Sequence, residues 1–145
     1  MNISIKYEDF SEDIFNKYEN IRMNAYQVDS FNNSKDYLLK LLTRRMLIVG
    51  LYIDNNLIAG CYVSGYRDYL FIDQLFVLFD YQNKGLKLGR LLLNDIIDNR
   101  VNIEEFFNKK YSEVKLFSYD DKSSSLYKKL GFKSVGESTF MIKDL

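Results

Sequence analysis

An apolar, strand-like run, Leu70-Phe71-Ile72-Asp73-Gln74-Leu75-Phe76-Val77, leads into Gln82-Asn83-Lys84-Gly85-Leu86-Lys87-Leu88-Gly89-Arg90, and a leucine-rich helical pattern follows at once. The chain must therefore pass from extended structure into a helix through a glycine-containing turn. Gly85 and Gly89 let the backbone approach a ligand closely, and the amides at the start of a helix have no partners within it. Together they make an anion site, read here as a pyrophosphate cradle in which Lys84, Lys87 and Arg90 add positive charge. The plain alternative is that a basic, glycine-rich turn only punctuates the chain. The spacing excludes two other phosphate loops. There is no Gly-x-x-x-x-Gly-Lys-Ser/Thr, and a dinucleotide fingerprint needs glycine where Lys87 stands.

Composition narrows the chemistry. At 145 residues the chain fits one domain, 1–145, able to bury roughly two-thirds of its unfolded surface. Its apolar fraction of 47% argues against disorder. Twenty basic and twenty acidic residues balance, so nothing suggests a general affinity for nucleic acid or for an anionic membrane. Cys61 is alone and there is no histidine, which removes the usual zinc sets and the Ser-His and Cys-His nucleophiles. No metal is expected, and the chemistry is left to carboxylates, tyrosine, lysine or a bound cofactor. Neither the first ten residues nor the longest apolar run, Leu47 to Ile53, resembles a leader or a membrane span, which makes a cytoplasmic location the expectation.

In chain order, Ile3, Ile5 and Tyr7 alternate as a first strand. Ile14, Phe15, Tyr18, Ile21, the stem of Arg22 and Tyr26 recur at helical spacing from Phe10 or Ser11 to near Asp29. A second helix, capped by Ser34, carries Tyr37, Leu38, Leu41 and Leu42, and Arg44-Arg45 would close its last turn. Met46 to Ile53 and Leu57 to Tyr66 read as an antiparallel hairpin around Asp54-Asn55-Asn56. Leu57, Ala59, Cys61 and Val63 then share a face, which makes Cys61 a small core residue. Tyr69 to Phe79 is a third strand. Beyond the cradle, Leu88, Leu91, Leu92 and Ile96 mark a buried helix face, and Asp98 to Lys110 continues it or forms a short extra helix. Glu113 to Tyr119 is another strand. The last helix is capped by Asp120 or Asp121 and ends at Gly131. Short strands at Phe132 to Val135 and Thr139 to Ile142 complete an α/β chain whose exposed C-terminal strand edges could pair in a homodimer.

Gln82 and Gly85 resemble the Gln/Arg-x-x-Gly-x-Gly/Ala loop of the general N-acetyltransferase (GNAT) superfamily, with Lys87 departing at its last position. Tyr127-Lys128-Lys129-Leu130-Gly131-Phe132 resembles the Tyr-x-x-x-Gly-Phe ending of that superfamily, and the order of elements agrees over nearly the whole chain. The resemblance implies a mixed, mostly antiparallel sheet flanked by helices, with a splayed strand pair holding coenzyme A. It implies direct transfer of an acetyl group from acetyl-coenzyme A to an amine of a small molecule, peptide or protein, through a ternary complex. A thioester is already activated. The enzyme must then position it, accept a proton from the ammonium, stabilise an oxyanion and protonate the thiolate, with no covalent nucleophile.

By the same resemblance, the strand before the cradle splays from its neighbour at a bulge, Leu75, Phe76 and Val77 would pair with the pantetheine arm, and the stretch from Gln82 to Arg90 would hold the pyrophosphate. Asp120 and Ser123 stand where pantetheine contacts are common. Tyr127 is the candidate acid, against the alternative of a packed core aromatic. Asp73 is the candidate base, against a strand-edge carboxylate; strand alternation lets only one of Asp73 and Gln74 face the site. Glu19, Asp29 and Asp36, with Tyr26 and Phe31, could receive a cationic amine or be a solvated helix face. Two other readings remain: a non-catalytic acyl-coenzyme A binding module on the same fold, and a phosphate-binding chain unrelated to coenzyme A.

Overall fold

The computed structural model describes residues 1–9, 11–43, 46–118, 120–136 and 139–145, without the side chain of Leu41. The alternating N-terminus forms β1 (Ile3–Glu8), followed by α1 (Glu12–Tyr26) and α2 (Ser34–Thr43). Ser11 caps α1 by accepting a bond from the Ile14 amide, and Gln27 ends it in the left-handed conformation. The expectations placed on Phe10, Leu41, Arg44-Arg45 and Tyr119 lie outside the described residues. Ser34 opens α2, but its hydroxyl donates to Glu19 rather than capping the helix.

β2 (Met46–Ile53), β3 (Asn56–Gly65) and β4 (Tyr69–Val77) form an antiparallel meander beside β1. Asp54 and Asn55 both have positive φ, as the tight β2–β3 turn requires. After β4 come a 3₁₀ turn (Phe79–Tyr81), α3 (Leu88–Asp98) and the short extra helix α4 (Arg100–Phe107). β5 (Glu113–Phe117), α5 (Asp121–Lys129), β6 (Lys133–Ser134) and β7 (Phe140–Asp144) complete a seven-stranded, mostly antiparallel sheet of order β1-β2-β3-β4-β5-β7-β6.

Both faces of this sheet are buried where the meander lies, so β2 is apolar at nearly every position. Ile48, Tyr52, Tyr62 and Phe76 meet α1 and α2 on one face. Val49, Leu51, Val63, Leu70 and Leu116 meet α3, α4 and α5 on the other. Gly50 and Gly60 are register partners that leave a slot for Tyr18. A Cβ on Gly60 would lie 2.7 Å from the Tyr18 ring, so these glycines set how closely α1 docks.

Two bulges break the alternation that a plain strand reading assumes. One skips Ile58, so Leu57 turns to the α1 face while Ala59, Cys61 and Val63 stay on the other; the expected common face therefore loses Leu57. Cys61 is fully buried, in keeping with a core role, and burial pushes its thiol up. The second bulge skips Asp73.

A buried charged cluster ties α1 to α2 and the sheet. Arg22 is 1% exposed and Glu19 5%. Arg22 donates to both carboxylate oxygens of Glu19 at 2.7 Å, and Ser34 and Tyr62 donate to them as well. The Arg22 guanidinium lies 3.7 Å from the centroid of the Phe31 ring. Arg22 is thus buried to its tip, not by its stem alone, and Glu19 is neither a solvated charge nor an open amine receptor. Burial opposes the ionisation of Glu19, but the donors from Arg22, Ser34 and Tyr62 outweigh it and hold the carboxyl below its usual range.

Arg22→Met strands a buried carboxylate and should cost about 3–5 kcal/mol in denaturant unfolding. Because Glu19 titrates lower when folded, its contribution is present above the unfolded value of about 4.3 and is lost as pH falls through the folded one. Acid unfolding of Glu19→Gln should lack that component.

Candidate functional site

The turn into α3 is built from alternating backbone hands. Asn83, Gly85 and Lys87 have φ of 59°, 73° and 53° and are separated by residues of ordinary φ. Such alternation is the backbone pattern from which anion-binding nests are built. Among the described residues, no hydrogen bond takes up the amides from Asn83 to Arg90; the first helical bond runs from the Leu91 amide to the Lys87 carbonyl. A Cβ on Gly85 would meet nothing within 4 Å, and Gly89 faces only Leu75 at 3.8 Å. The space above the nest is open on the protein side. Lys84, Lys87 and Arg90 belong to the turn and the first helical residues after it; the two lysines are exposed and Arg90 is half-buried. Leu86 and Leu88 instead pack into the core beneath it.

Gln82 behaves differently from its neighbours. Its amide side chain donates to the carbonyls of Val77 at 2.7 Å and Ala25 at 3.0 Å, while the Phe79 amide donates to Asn24 at 3.0 Å. These bonds fasten the cradle to the last turn of α1. They also occupy the Val77 carbonyl.

β4 pairs with β3 along most of its length but with β5 only at Tyr69, Leu70 and Phe71. From Ile72 onward the two parallel strands diverge, and among the described residues one edge of β4 has no partner strand. Ile72, Asp73, Gln74, Leu75, Leu116, Phe117 and Tyr127 line the resulting cleft. Of the residues expected along a pantetheine arm, Leu75 reaches the cleft with its side chain. Phe76 packs edge-on against Tyr62, on the α1 face.

The bulge at Asp73 alters the choice between Asp73 and Gln74. Plain alternation allows one of them to face α2; the extra residue turns both that way, with Gln74 donating to Tyr37 at 2.8 Å. Asp73 accepts from Ser64 on one oxygen and from Lys40 at 3.2 Å on the other. Burial raises its carboxyl above the usual range, and the donors Ser64 and Lys40 only partly offset this. A carboxylate so placed is a better base than one in water. Tyr127 is 5% exposed on α5, with its ring 5.9 Å from that of Phe132.

Asp120 and Ser123 are committed to each other. Asp120 caps α5 by accepting from the Ser123 amide at 2.7 Å, and Ser123 accepts from the Asp120 amide at 3.2 Å. The Ser123 bonds hold the Asp120 carboxyl below its usual range. Sequence reasoning missed Lys40, Ser64 and Phe117. Ser64 carried a signal, a hydroxyl in an apolar strand; Lys40 looks like any lysine on an amphipathic helix. Among the described residues no group of side chains could hold a metal ion, and no helix is long and apolar enough to cross a membrane.

The model of the acetyltransferase (GNAT) family matches residues 8–132. Among solved structures, the PaiA N-acetyltransferase of Thermoplasma acidophilum in complex with coenzyme A shares 16% identity, covers 100% of both chains and superposes with a TM-score of 0.68. A ribosomal-protein alanine N-acetyltransferase from Escherichia coli shares 17% identity over 97% of this chain and 94% of its own, with a TM-score of 0.72. A GNAT family acetyltransferase from Elizabethkingia anophelis with acetyl-CoA bound shares 19% identity over 99% of each chain, with a TM-score of 0.70. At such identities the likeness is one of fold. No curated protein sequence matches.

Lys87 holds a left-handed conformation that costs an L-residue roughly 1–2 kcal/mol, against about 0.5–1 kcal/mol of extra chain entropy for glycine. Lys87→Gly should therefore raise stability by about 0.5–1 kcal/mol in denaturant titration. Gly85→Ala should lower it by a similar or larger amount although no atom blocks the new methyl group.

Proposed function

The chain belongs to the acetyltransferase (GNAT) family, and we propose that it is a one-domain, cytoplasmic N-acetyltransferase moving an acetyl group from acetyl-coenzyme A directly to a primary amine. The observation that carries this reading is the cleft between the diverging β4 and β5, where Asp73 and Tyr127 line one cavity. The cofactor fits the residues present. Unpaired amides at the turn into α3, the open space over Gly85 and the basic side chains of Lys84, Lys87 and Arg90 suit a pyrophosphate, and the free edge of β4 suits the amide-bearing pantetheine arm. Acetyl-coenzyme A supplies an already activated acetyl thioester.

Within this proposal each residue has a distinct task. Asp73 takes the proton of the incoming ammonium, directly or through water, and its raised carboxyl suits that role. An unpaired amide of β4 stabilises the oxyanion. Tyr127 gives a proton to the departing thiolate. The nest amides and the three cations hold the phosphates, whereas Gln82 acts by anchoring the loop to α1. Asp120 and Ser123 act by capping α5, which carries Tyr127.

Acetyl-coenzyme A should raise the unfolding free energy by about 2.7 kcal/mol at a hundredfold excess over Kd, and an amine should then release thiol in the same sample. Absence of stabilisation at saturating ligand would reject the cradle. Stabilisation without release from any amine would leave only a binding module. Tyr127→Phe should lower kcat by about 10²-fold or more with the stabilisation retained. Asp73→Asn should abolish the acidic limb of the pH–kcat profile, which in the parent lies above the ordinary carboxylate value of about 3.9 because burial raises this group. An unchanged limb would move the base elsewhere.

A further inference from the structure

The face of the sheet opposite α3 carries a strip of rings that the transfer chemistry does not use. Beyond α2, Phe71 of β4 meets Phe117 of β5 edge-on at 5.8 Å, and Phe117 meets Phe140 of β7 at 5.1 Å. Phe117 is 48% exposed. The strip is continuous with the catalytic cleft, since Phe117 lines that cleft and Asp73 follows Phe71 by two residues on the same strand.

Lys115 sits opposite Phe71 in the β4–β5 register. Its ammonium lies 4.1 Å from the Tyr69 ring centroid and 5.6 Å from that of Phe140, and among the described residues no carboxylate pairs with it. At the cleft end of the strip, the charge of Asp73 is already matched by Lys40. Glu113 and Asp144 are register partners at the far end, past Lys115. Among the described residues, the part of the strip nearest the cleft therefore offers rings and an unpaired cation, with no unmatched anion. A polyamine would meet like charge there.

Resting on the acetyl-transfer reading, we infer that the acceptor is an amine joined to a flat apolar body bearing an anionic group. Its amine reaches Asp73, its body lies across Phe71 and Phe117, and its anion meets Lys115. The separation is suitable. Between the backbone positions of Asp73 and Lys115, two residues along a strand and one strand across span roughly 8 Å, about the length of a ring with a short arm on each side. The thioester comes from the cradle side of the sheet and the amine from the α2 side, and they meet where β4 and β5 part.

Calorimetric titration of 4-(2-aminoethyl)benzoate, phenethylamine and spermidine into the coenzyme A-saturated protein tests this. The benzoate should bind roughly tenfold or more tightly than phenethylamine, and spermidine most weakly. Lys115→Met should bring the two aryl amines level, and Phe117→Ala should weaken both, with Phe117→Leu as the variant that keeps apolar bulk but loses the ring. Tightest binding of spermidine, or an order unaltered by these variants, overturns the inference. So does a dimer in light scattering that Phe117→Ala converts to monomer, since a second copy would then cover the strip. Thiol release from acetyl-coenzyme A, followed in parallel, separates the two readings. Release without selectivity rejects only the acceptor class, and selective binding without release rejects acetyl transfer while retaining the recognition.

Discussion

The site depends on how far β4 pairs with each neighbour. Its pairing with β3 continues to Val77, while its pairing with β5 ends at Phe71. A sheet normally satisfies both edges of an inner strand, and an unpaired backbone edge inside a protein is costly unless something else bonds to it. The parting of β4 and β5 therefore creates a cleft and a demand for hydrogen bonds in the same place. It also makes a gap through which groups on the two faces of the sheet can meet.

Around that gap the structure places anchors rather than mobile parts. The cradle is held to α1 through Asn24 and Gln82. α1 is in turn held to α2 and β3 by the buried Glu19–Arg22 pair with Ser34 and Tyr62. α2 supplies Lys40, whose ammonium bonds Asp73. One chain of bonds thus runs from the turn before α3 to the carboxylate in the cleft. The costs of burying two charges and of holding Lys87 left-handed are met by this over-determined setting.

Much of the architecture could be read from local pattern. The β2–β3 turn followed from Asp54-Asn55, the α1 cap from Ser11, and the cradle from two glycines at the opening of a leucine-rich helix. Each of these is a short-range backbone preference that survives folding. Side-chain partners were harder to read. Arg22 looked like an apolar stem with a solvated tip, and Glu19 like a surface charge, because neither residue shows in sequence that its partner will share a dry interface. The bulge at Ile58, and the placing of the β4 bulge at Asp73, were invisible for a related reason. An extra residue is defined only against the register of a neighbouring strand, so alternation along one strand misassigned Leu57 and forced a false choice between Asp73 and Gln74.

The sequence by itself determined the succession of strands and helices, the nest-forming turn, the core role of Cys61 and the family, all of which rest on contacts within a few residues or on motif spacing. Only the tertiary structure decided where β4 and β5 part, just beyond Phe71, that Asp73 is buried between Lys40 and Ser64, and that Phe71, Phe117 and Phe140 form one surface. Those features join residues from strands and helices far apart in the chain. Their energies come from desolvation and from shared register, which exist only once the sheet has closed.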